Sequence, residues 1–228
     1  MAGNAPASET EAFVHSRLYD LACAAPLILL YGFACAGTVI LTVRQWPLAQ
    51  GWSGWLVIVN EAGTLLFFGL QIVLFFLRRL PLRKSDGPWP RVTALLGANF
   101  NFLLLLLPRV TLDISWTAIA TALTFAGTLA SVAILVYLGR AFSIFPEARQ
   151  LVLRGPYRYI RHPLYLFETV SILGIMLQYR QPWAACVVIV GFCIQIRRMT
   201  YEEDVLRQTF PAYDAYAKPL ARLIPGVY

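Results

Sequence analysis

The sequence predicts an all-α protein that crosses a membrane, with about six transmembrane helices, a helical hairpin near the C-terminus and a cytoplasmic tail helix. Composition is the first reason. The chain of 228 residues is 58% hydrophobic and only 14% charged, whereas soluble domains contain about 25% charged residues. Its mean hydropathy is +0.62. Long apolar runs are the second reason, because about 20 apolar residues are needed to cross a bilayer as a helix.

Six apolar segments are predicted to form the helices. The last two are shorter than a bilayer, so they cross it only if their polar-looking ends, residues 159–163 and 197–201, continue the helices into the interface. The link at residues 178–182 makes these two a tight hairpin. The six segments are Leu21–Val43, Trp55–Leu77, Val92–Leu107, Trp116–Leu138, Leu164–Leu177 and Trp183–Ile196.

Basic residues are concentrated in alternate connecting segments. Of the 19 Lys and Arg residues, 16 fall in four segments, and the other connections contain one each, Arg44, Arg109 and Arg180. The positive-inside rule predicts that the four basic segments are cytoplasmic, so both termini are cytoplasmic. This topology explains the net charge of +7, and no nucleic-acid partner is needed. The four segments are 1–20, 78–91, 139–163 and 197–228.

Several common functional classes have no support in the sequence. It lacks GxGxxG, GxxxxGK[ST], HExxH and CxxC patterns, and the two histidines make a multi-histidine metal site improbable, so no metal is expected. The N-terminus has no cleavable signal pattern, and a bacterial inner membrane is the expected location. We interpret the four cysteines as small core residues rather than disulfide partners, because all lie in apolar runs: Cys23, Cys35, Cys186 and Cys193.

A polar island, RGPYRYIRHPLY at residues 154–165, interrupts this apolar chain. Gly155 and Pro156 predict a turn. Pro163 suits the first turn of the next helix and disfavours helical conformation at His162. The island is therefore predicted to be a turn followed by a helix start.

Three side chains of the island, those of Tyr157, His162 and Tyr165, are then held at the cytoplasmic mouth of that helix. Backbone amides at a helix N-terminus attract anionic groups, so a ligand that bears a carboxylate could bind there. The alternative is that these Tyr and Arg residues are ordinary interface anchors. We interpret Arg154 and Arg158 in that second way, as topology markers.

The tail RRMTYEEDVLRQTFPAYDAY is predicted to continue the last apolar helix into the cytoplasm. Arg198 and Glu202 are four residues apart and share one face, and Glu203 with Arg207 forms a second pair one position round. Such pairs on a solvent face stabilise a helix by about 0.2–0.5 kcal/mol. This solvent-face interpretation suits Glu203 and Arg207 better, whereas the first pair could face the loop that contains His162.

On these residues the chain resembles the integral-membrane methyltransferases that include isoprenylcysteine carboxyl methyltransferase and the phospholipid N-methyltransferases. The resemblance covers about residues 137–228, and the first three spans match only as hydrophobic helices. It rests on GPYxxxRHPxY at residues 155–165, followed by the tail positions Arg198, Glu202, Glu203, Leu206, Phe210, Tyr213 and Tyr216.

The resemblance implies that S-adenosylmethionine binds on the cytoplasmic side and that a lipophilic substrate enters from the membrane. It divides the chain into a polar segment 1–20, lipid- or substrate-facing helices at 21–138 and a cofactor-binding catalytic region at 139–228. Carried over by motif, the cofactor-binding residues are Gln150, Leu151, Val152, Tyr157, His162, Pro163, Leu164, Tyr165 and Glu202. Arg149 also occupies a cofactor-lining position, although the eukaryotic enzymes have His there.

Arg198 and Glu202 are implied to be the catalytic residues. Arg198 matches the substrate-facing arginine of the family and would orient an anionic acceptor, while Glu202 would hold the amino group or sugar of the cofactor. His162 could act as a base if the acceptor is a hydroxyl or a thiol, but we favour a positioning role, because methylating a carboxylate requires no proton removal. Glu168, one turn beyond Leu164 and Tyr165, could bind substrate or instead pair helices or lie at the interface.

The chain departs from the family pattern in two places, at Phe167 and at residues 210–213. Phe167 stands where a Gly often follows the motif, which could narrow a path to the pocket. Phe210 and Pro211 replace the usual Phe-Gly, and Tyr213 comes one residue early. The tail is therefore expected to turn differently from that of the family.

The acceptor stays open at this point: a prenylcysteine carboxylate, another carboxylate, a hydroxyl, a thiol or a phospholipid amine. Arg198 favours an anionic group, since a fixed cation repels an ammonium, although it could also hold a lipid phosphate. Two other functions are an NADPH-dependent membrane reductase of related fold, which Glu202 and Glu203 argue against, and a non-catalytic scaffold. The expected partners are a lipophilic substrate and membrane lipids, and the oligomeric state is open.

Overall fold

The computed structural model describes residues 17–46 and 51–226, and this part of the chain is mostly helical. Two short strands, β1 (Arg83–Lys84) and β2 (Glu147–Ala148), pair antiparallel. Segments of 3₁₀ helix lie at Phe100–Leu106, Gly139–Ala141 and Gly155–Arg158. The α-helices are α1 (Arg17–Gln45), α2 (Gly51–Leu77), α3 (Trp89–Asn99), α4 (Ile114–Leu138), α5 (Pro163–Leu177), α6 (Trp183–Thr209) and α7 (Tyr213–Ala217).

Four of these helices, α1, α2, α4 and α6, are long and apolar enough to cross a membrane. Their outer faces carry large exposed apolar side chains: Phe33 is 80% exposed and Ile114 is 88% exposed. Water would penalise such a surface, whereas lipid tails solvate it. The predicted all-α membrane fold is therefore confirmed, and the protein is an integral membrane protein.

The third apolar segment is not one α-helix. We expected a helix over Val92–Leu107, but α3 ends at Asn99 and a 3₁₀ segment continues the chain to Leu106. The cause is local, because the Asn99 side chain donates to the Leu95 carbonyl oxygen at 2.8 Å. Asn side chains that bond to the backbone compete with regular helical geometry.

The last two segments differ at their polar ends. Helix α6 continues through residues 197–201 to Thr209, as expected. Helix α5 starts only at Pro163, so residues 159–162 do not extend it and the condition for a full crossing is not met at this end. Its 15 residues span about 22 Å at 1.5 Å per residue, less than the hydrocarbon core of about 30 Å. The number of six crossings stays a prediction.

Contacts between loops group three of the basic segments, 78–91, 139–163 and the described part of 197–228, at one end of the helices. Arg83 of β1 pairs with Ala148 of β2, and Ile160 forms a parallel bridge with Ala221. At the opposite end, Arg109 forms a bridge with Tyr179. We refer to the first as the basic end. Its assignment to the cytoplasm stays a prediction.

Helices α4 and α5 pack most closely, through small residues. A Cβ at Gly174 of α5 would lie 2.5 Å from the Ala120 carbonyl oxygen of α4. The hydroxyls of Thr128 and Ser171 hydrogen-bond across the same seam at 2.9 Å. Close approach at small residues is the usual basis of helix association in membranes, where apolar side chains gain nothing by leaving lipid.

The positions of the cysteines contradict the expectation that they are core residues. All four are free thiols, but Cys23, Cys186 and Cys193 are exposed and Cys35 is partly exposed. The interpretation as core residues is therefore wrong. In a membrane protein an apolar sequence neighbourhood does not distinguish the core from the lipid-facing surface, because both are apolar.

Candidate functional site

A pocket opens at the basic end, between the loop that follows α4, the start of α5 and the polar half of α6. Most of the predicted cofactor-binding residues line it: Gln150, Leu151, Val152, Tyr157, His162, Leu164, Tyr165 and Glu202. Pro163 is fully buried at the first position of α5 and positions its neighbours without lining the pocket. The structure therefore brings the predicted residues together, and their binding roles stay predictions.

Other lining residues were missed from the sequence. Glu147 lies in β2, outside both family motifs. Arg161 and Leu206 lie within those motifs, and this was a usable signal that they line the pocket. The hydrophobic residues before β2 gave no such signal, because apolar side chains are common throughout this chain. These are Leu138, Ala141 and Phe145.

The two adjacent glutamates of α6 each hold one ring of the RHPxY motif. The Tyr165 hydroxyl donates to Glu202 Oε1, and His162 Nε2 is 3.1 Å from Glu203 Oε1. The two rings stack, with centroids 5.4 Å apart and an interplanar angle of 6°. Pro163 makes this possible, because His162 is in the non-helical N-cap position and Tyr165 is in the first turn. The pocket wall is thus a pair of stacked rings with a carboxylate behind each.

Arg198 lies one helical turn from Glu202, on the membrane side of the pocket. Its Nε donates to Glu202 Oε1 at 3.0 Å and its NH2 donates to the Ile144 carbonyl oxygen at 2.8 Å. Its guanidinium is 4.8 Å from the centroid of the Tyr165 ring. The predicted pairing of Arg198 with Glu202 is therefore confirmed. Arg198 is only 3% exposed and is not among the pocket-lining residues.

Glu168 lies behind the same wall. It does not line the pocket, but it is close enough to interact electrostatically with Arg198 and Tyr165. Tyr31 of α1 interacts with Arg198 in the same way. These groups form a polar cluster on the membrane side of Glu202, which we call the Arg198 cluster (Tyr31, Glu168 and Arg198).

The Gly155 turn shapes the loop that carries Tyr157. Gly155 has φ +60°, a left-handed conformation that residues with a Cβ disfavour. A side chain there would also collide with the Tyr137 ring. The predicted turn at Gly155 and Pro156 is confirmed as the start of a 3₁₀ segment.

Three tyrosines close the outer side of the pocket. The Tyr216 hydroxyl donates to the Tyr157 carbonyl oxygen at 2.7 Å, and Tyr213 lies against Tyr216 with ring centroids 5.8 Å apart. Burial, reinforced by the nearby Glu202 carboxylate, raises the pKa of Tyr157. Burial also raises the pKa of Tyr216 to about 12. Both hydroxyls are therefore neutral near pH 7. After α6 the chain turns at Pro211 and then forms α7. Tyr213 and Tyr216 of α7 both line the pocket.

The position of Glu203 contradicts the interpretation that it lies on a solvent-facing side of the helix. Its pairing with Arg207 exists, at 2.9 Å, but Glu203 is 0% exposed. Arg161, His162 and Arg222 also contact its carboxylate. Helical spacing identified only the partner on its own helix, because the other three come from distant parts of the chain.

The position of Arg149 contradicts the expectation that this residue lines the cofactor pocket. Rather than lining the cofactor pocket, it is buried and its NH2 binds Asp20 Oδ1 of α1 at 2.6 Å. Asp20 also binds Arg78 Nε, at 2.9 Å. This cluster ties α1 and the end of α2 to the loop next to Gln150.

One comparison with known proteins, a family model, agrees with the motif. Residues 115–212 match the model of the phospholipid methyltransferase family. A nickel-cobalt-cadmium resistance protein, NccN, of Alcaligenes xylosoxydans xylosoxydans is 30% identical over 80 residues, which are 35% of this chain and 38% of that protein. The match thus spans well under two thirds of that relative.

Within residues 17–46 and 51–226 no group of three His, Cys, Asp or Glu could hold a metal ion.

The family match runs from α4 to the end of α6 and includes the Gly155 turn, the RHPxY motif and both glutamates. It excludes α1 to α3. The resemblance inferred from the motifs is confirmed over this part of the chain, where residues 115–212 match the model of the phospholipid methyltransferase family.

Proposed function

We propose that the protein transfers a methyl group from S-adenosylmethionine to a lipophilic acceptor, at the boundary between the pocket and the membrane. The observation that carries the proposal is the position of Glu202. Its carboxylate lines the pocket and accepts hydrogen bonds from Tyr165 of the pocket wall and from Arg198 on the membrane side. A donor in the pocket and an acceptor from the membrane would therefore meet at this residue.

The lining of the pocket suits S-adenosylmethionine chemically. Carboxylates at Glu147 and Glu202 can accept from an amino group or from ribose hydroxyls. The guanidinium of Arg161 can bind a carboxylate, and Leu151, with its apolar neighbours, can cover a purine ring. The bound donor supplies a methyl group already activated by a sulfonium, so the protein needs to align the reactants and exclude water.

The proposed acceptor is a carboxylate on a hydrophobic tail, of the isoprenylcysteine type. A carboxylate oxygen attacks the methyl carbon, the carbon–sulfur bond breaks, and its electron pair stays on sulfur, so a methyl ester forms without proton transfer. Arg198 would orient the carboxylate from the membrane side. In the proposed orientation the protein lies in a bacterial inner membrane with its basic end facing the cytoplasm. S-adenosylmethionine, the methyl donor, is made in the cytoplasm.

A phospholipid amine is the second candidate, favoured by the charge of the Arg198 cluster. Arg198 is already paired with Glu202 at 3.0 Å, and Glu168 lies within electrostatic range. The guanidinium is thus not an uncompensated cation that would repel an amine. The amine would lose one proton as it gains the methyl group, and a carboxylate of the cluster could accept it.

The experiment that tests the function is transfer of labelled methyl from S-adenosylmethionine into a lipid extract by purified protein. Wild type should label lipid, and Glu202→Ala and Arg198→Ala should lose at least 90% of that label. Asp204→Ala is the matched control, because Asp204 follows on the same helix but has a side chain 49% exposed and pairs with Arg207. Absence of transfer by wild type would contradict the proposal and favour a scaffold.

The same product distinguishes the acceptors. Mild base hydrolyses a methyl ester and releases the label as volatile methanol, whereas an N-methyl amine keeps it. Mass spectrometry of the lipid that gains about 14 mass units then identifies the acceptor directly. Base-stable label would overturn the carboxylate acceptor and support the amine.

A further inference from the structure

Glu203 lies at the centre of a closed set of contacts that both family motifs and the C-terminal segment share. Its Oε1 is 3.1 Å from His162 Nε2 and 3.1 Å from Arg222 Nε. Its Oε2 accepts from Arg161 NH1 at 2.9 Å and from Arg222 NH2 at 3.2 Å. A fully buried carboxylate needs such partners, because an unpaired charge in a protein interior is strongly destabilising.

The C-terminal segment 220–223 runs alongside the RHPxY motif. The Arg161 amide donates to the Ala221 carbonyl oxygen at 3.0 Å, and the His162 amide donates to the Arg222 carbonyl oxygen at 2.9 Å. Leu223 is 2% exposed and belongs to the main core cluster, which anchors the segment. The backbone of His162 is therefore held by the same residue whose side chain holds Glu203.

These contacts constrain the imidazole of His162 as well as its backbone. An ionised carboxylate can only accept hydrogen bonds, so the proton of a neutral ring lies on Nε2 and faces Glu203. The ring then stacks on Tyr165, whose hydroxyl binds Glu202. A change in the tilt of His162 would be transmitted to Tyr165 and hence to Glu202.

We propose that Glu203 is a positioning residue, which together with Arg222 of the C-terminal segment fixes the tautomer and orientation of His162 and so sets the wall of the donor pocket. Glu203 itself is not among the pocket-lining residues, so it acts through His162. This inference rests on the proposed function for its effect on donor binding. Its effect on the histidine ring is independent of that function.

The first test observes His162 directly. The chain has two histidines, His15 and His162, so in a His15→Gln background ¹⁵N NMR of labelled histidine reports His162 alone. The full-length protein should give the Nε2-protonated tautomer, and Glu203→Ala should give a mixture of tautomers or a ring in exchange. An unchanged tautomer in Glu203→Ala would overturn the proposal, whether or not the protein binds S-adenosylmethionine.

The second test measures the dissociation constant of S-adenosylmethionine by calorimetry. Glu203→Ala and Arg222→Ala should raise it at least tenfold, and Arg222→Lys should recover part of the loss. Arg207→Ala is the matched control: Arg207 contacts Glu203 at 2.9 Å and its guanidinium lies 5.8 Å from the centroid of the Tyr213 ring, but by its described hydrogen bonds it touches neither the RHPxY motif nor the segment 220–223, so a change below threefold is expected. Melting temperatures identify variants that fail to fold.

The outcomes separate the two proposals. If wild type does not bind S-adenosylmethionine, the proposed function fails and the tautomer measurement alone decides the role of Glu203. If wild type binds it and Arg207→Ala weakens binding as much as Arg222→Ala, the contacts of Glu203 are general stabilising pairs and the positioning role is wrong. Conservative Glu203→Gln keeps an acceptor oxygen, and should fall between wild type and Glu203→Ala in both measurements.

Discussion

Two buried carboxylates, Asp20 and Glu203, flank the pocket and are built alike but serve different parts of the molecule. Asp20 is 6% exposed and is held by two arginines from the end of α2 and the loop after α4. Glu203 is 0% exposed and is held by arginines from the motif, its own helix and the C-terminal segment. Both join segments that are distant in the chain.

The difference lies in what each cluster touches. Asp20 and its partners Arg78 and Arg149 are absent from the pocket lining and contact it through the pairing of Arg149 with Glu147, whereas Arg161 and His162 of the Glu203 cluster form part of it. The comparison indicates that the Asp20 cluster fixes the scaffold and that the Glu203 cluster adjusts the site. A change in the first should therefore reduce stability, and a change in the second should reduce affinity.

The largest effect is expected from Asp20→Ala. Two buried guanidiniums, at 1% and 3% exposure, lose their shared partner, and breaking a buried ion pair from one side costs about 3–5 kcal/mol. Thermal unfolding in detergent should show a large drop in melting temperature, while the folded fraction keeps its affinity for S-adenosylmethionine within threefold. A selective loss of affinity at an unchanged melting temperature would break the distinction between the clusters.

The next test concerns the turn at Gly155, which lies between the two clusters. It compares Gly155→Ala with Gly87→Ala. Both glycines have positive φ, +60° and +76°, so both substitutions carry the left-handed cost of about 1–2 kcal/mol. Only Gly155 also faces a neighbour, the Tyr137 ring, and such overpacking adds about 1–3 kcal/mol. Equal melting temperatures for the two variants would mean that Tyr137 moves aside without cost.

Tyr165→Phe should affect affinity more than stability. It removes the hydroxyl that donates to Glu202 and keeps the ring that stacks on His162. Without this donor the Glu202 carboxylate is no longer fixed against the pocket wall, so calorimetry should record a dissociation constant for S-adenosylmethionine at least tenfold higher. An unchanged dissociation constant would contradict the assignment of this ring to the pocket wall.

The smallest effect is expected from Tyr216→Phe. It removes one hydrogen bond to the Tyr157 carbonyl oxygen, worth about 0.5–1.5 kcal/mol of stability. Burial raises the pKa of Tyr216 from 10.0 to about 12, so the folded state keeps this proton longer than the unfolded state. Its contribution to stability is complete below pH 10 and is lost as pH rises through 12.

Melting temperatures at pH 8 and pH 11 measure this contribution. Wild type should lose more stability between the two values than Tyr216→Phe does, because the variant lacks the titrating group. Identical losses would show that Tyr216 does not contribute to the pH dependence.

The sequence predicted the parts of the site that rest on short-range patterns. The turn at Gly155, the helix start at Pro163 and the pairing of Arg198 with Glu202 each follow from rules about neighbours in the chain or on one helix face. The position of Tyr157 near the start of α5 followed from the same turn and helix start, and its assignment to a cofactor pocket followed from family resemblance.

The parts that it could not predict depend on distant partners. Glu203 was interpreted as solvent-facing because helical spacing identifies Arg207 but gives no information about Arg222 or the motif loop. Asp20 gave one usable signal, an acidic residue at the head of an apolar helix, yet its partner Arg149 lies 129 positions away. The break of α3 after Asn99 depended on a side-chain bond that competes with the helix.

The most direct test of the account is calorimetric binding of S-adenosylmethionine and, separately, NADPH to wild type and Glu202→Ala. The account predicts that wild type binds S-adenosylmethionine and not NADPH, and that Glu202→Ala binds it at least tenfold more weakly while it melts near the wild-type temperature. Binding of NADPH without S-adenosylmethionine, or affinity for S-adenosylmethionine that does not depend on Glu202, would contradict it.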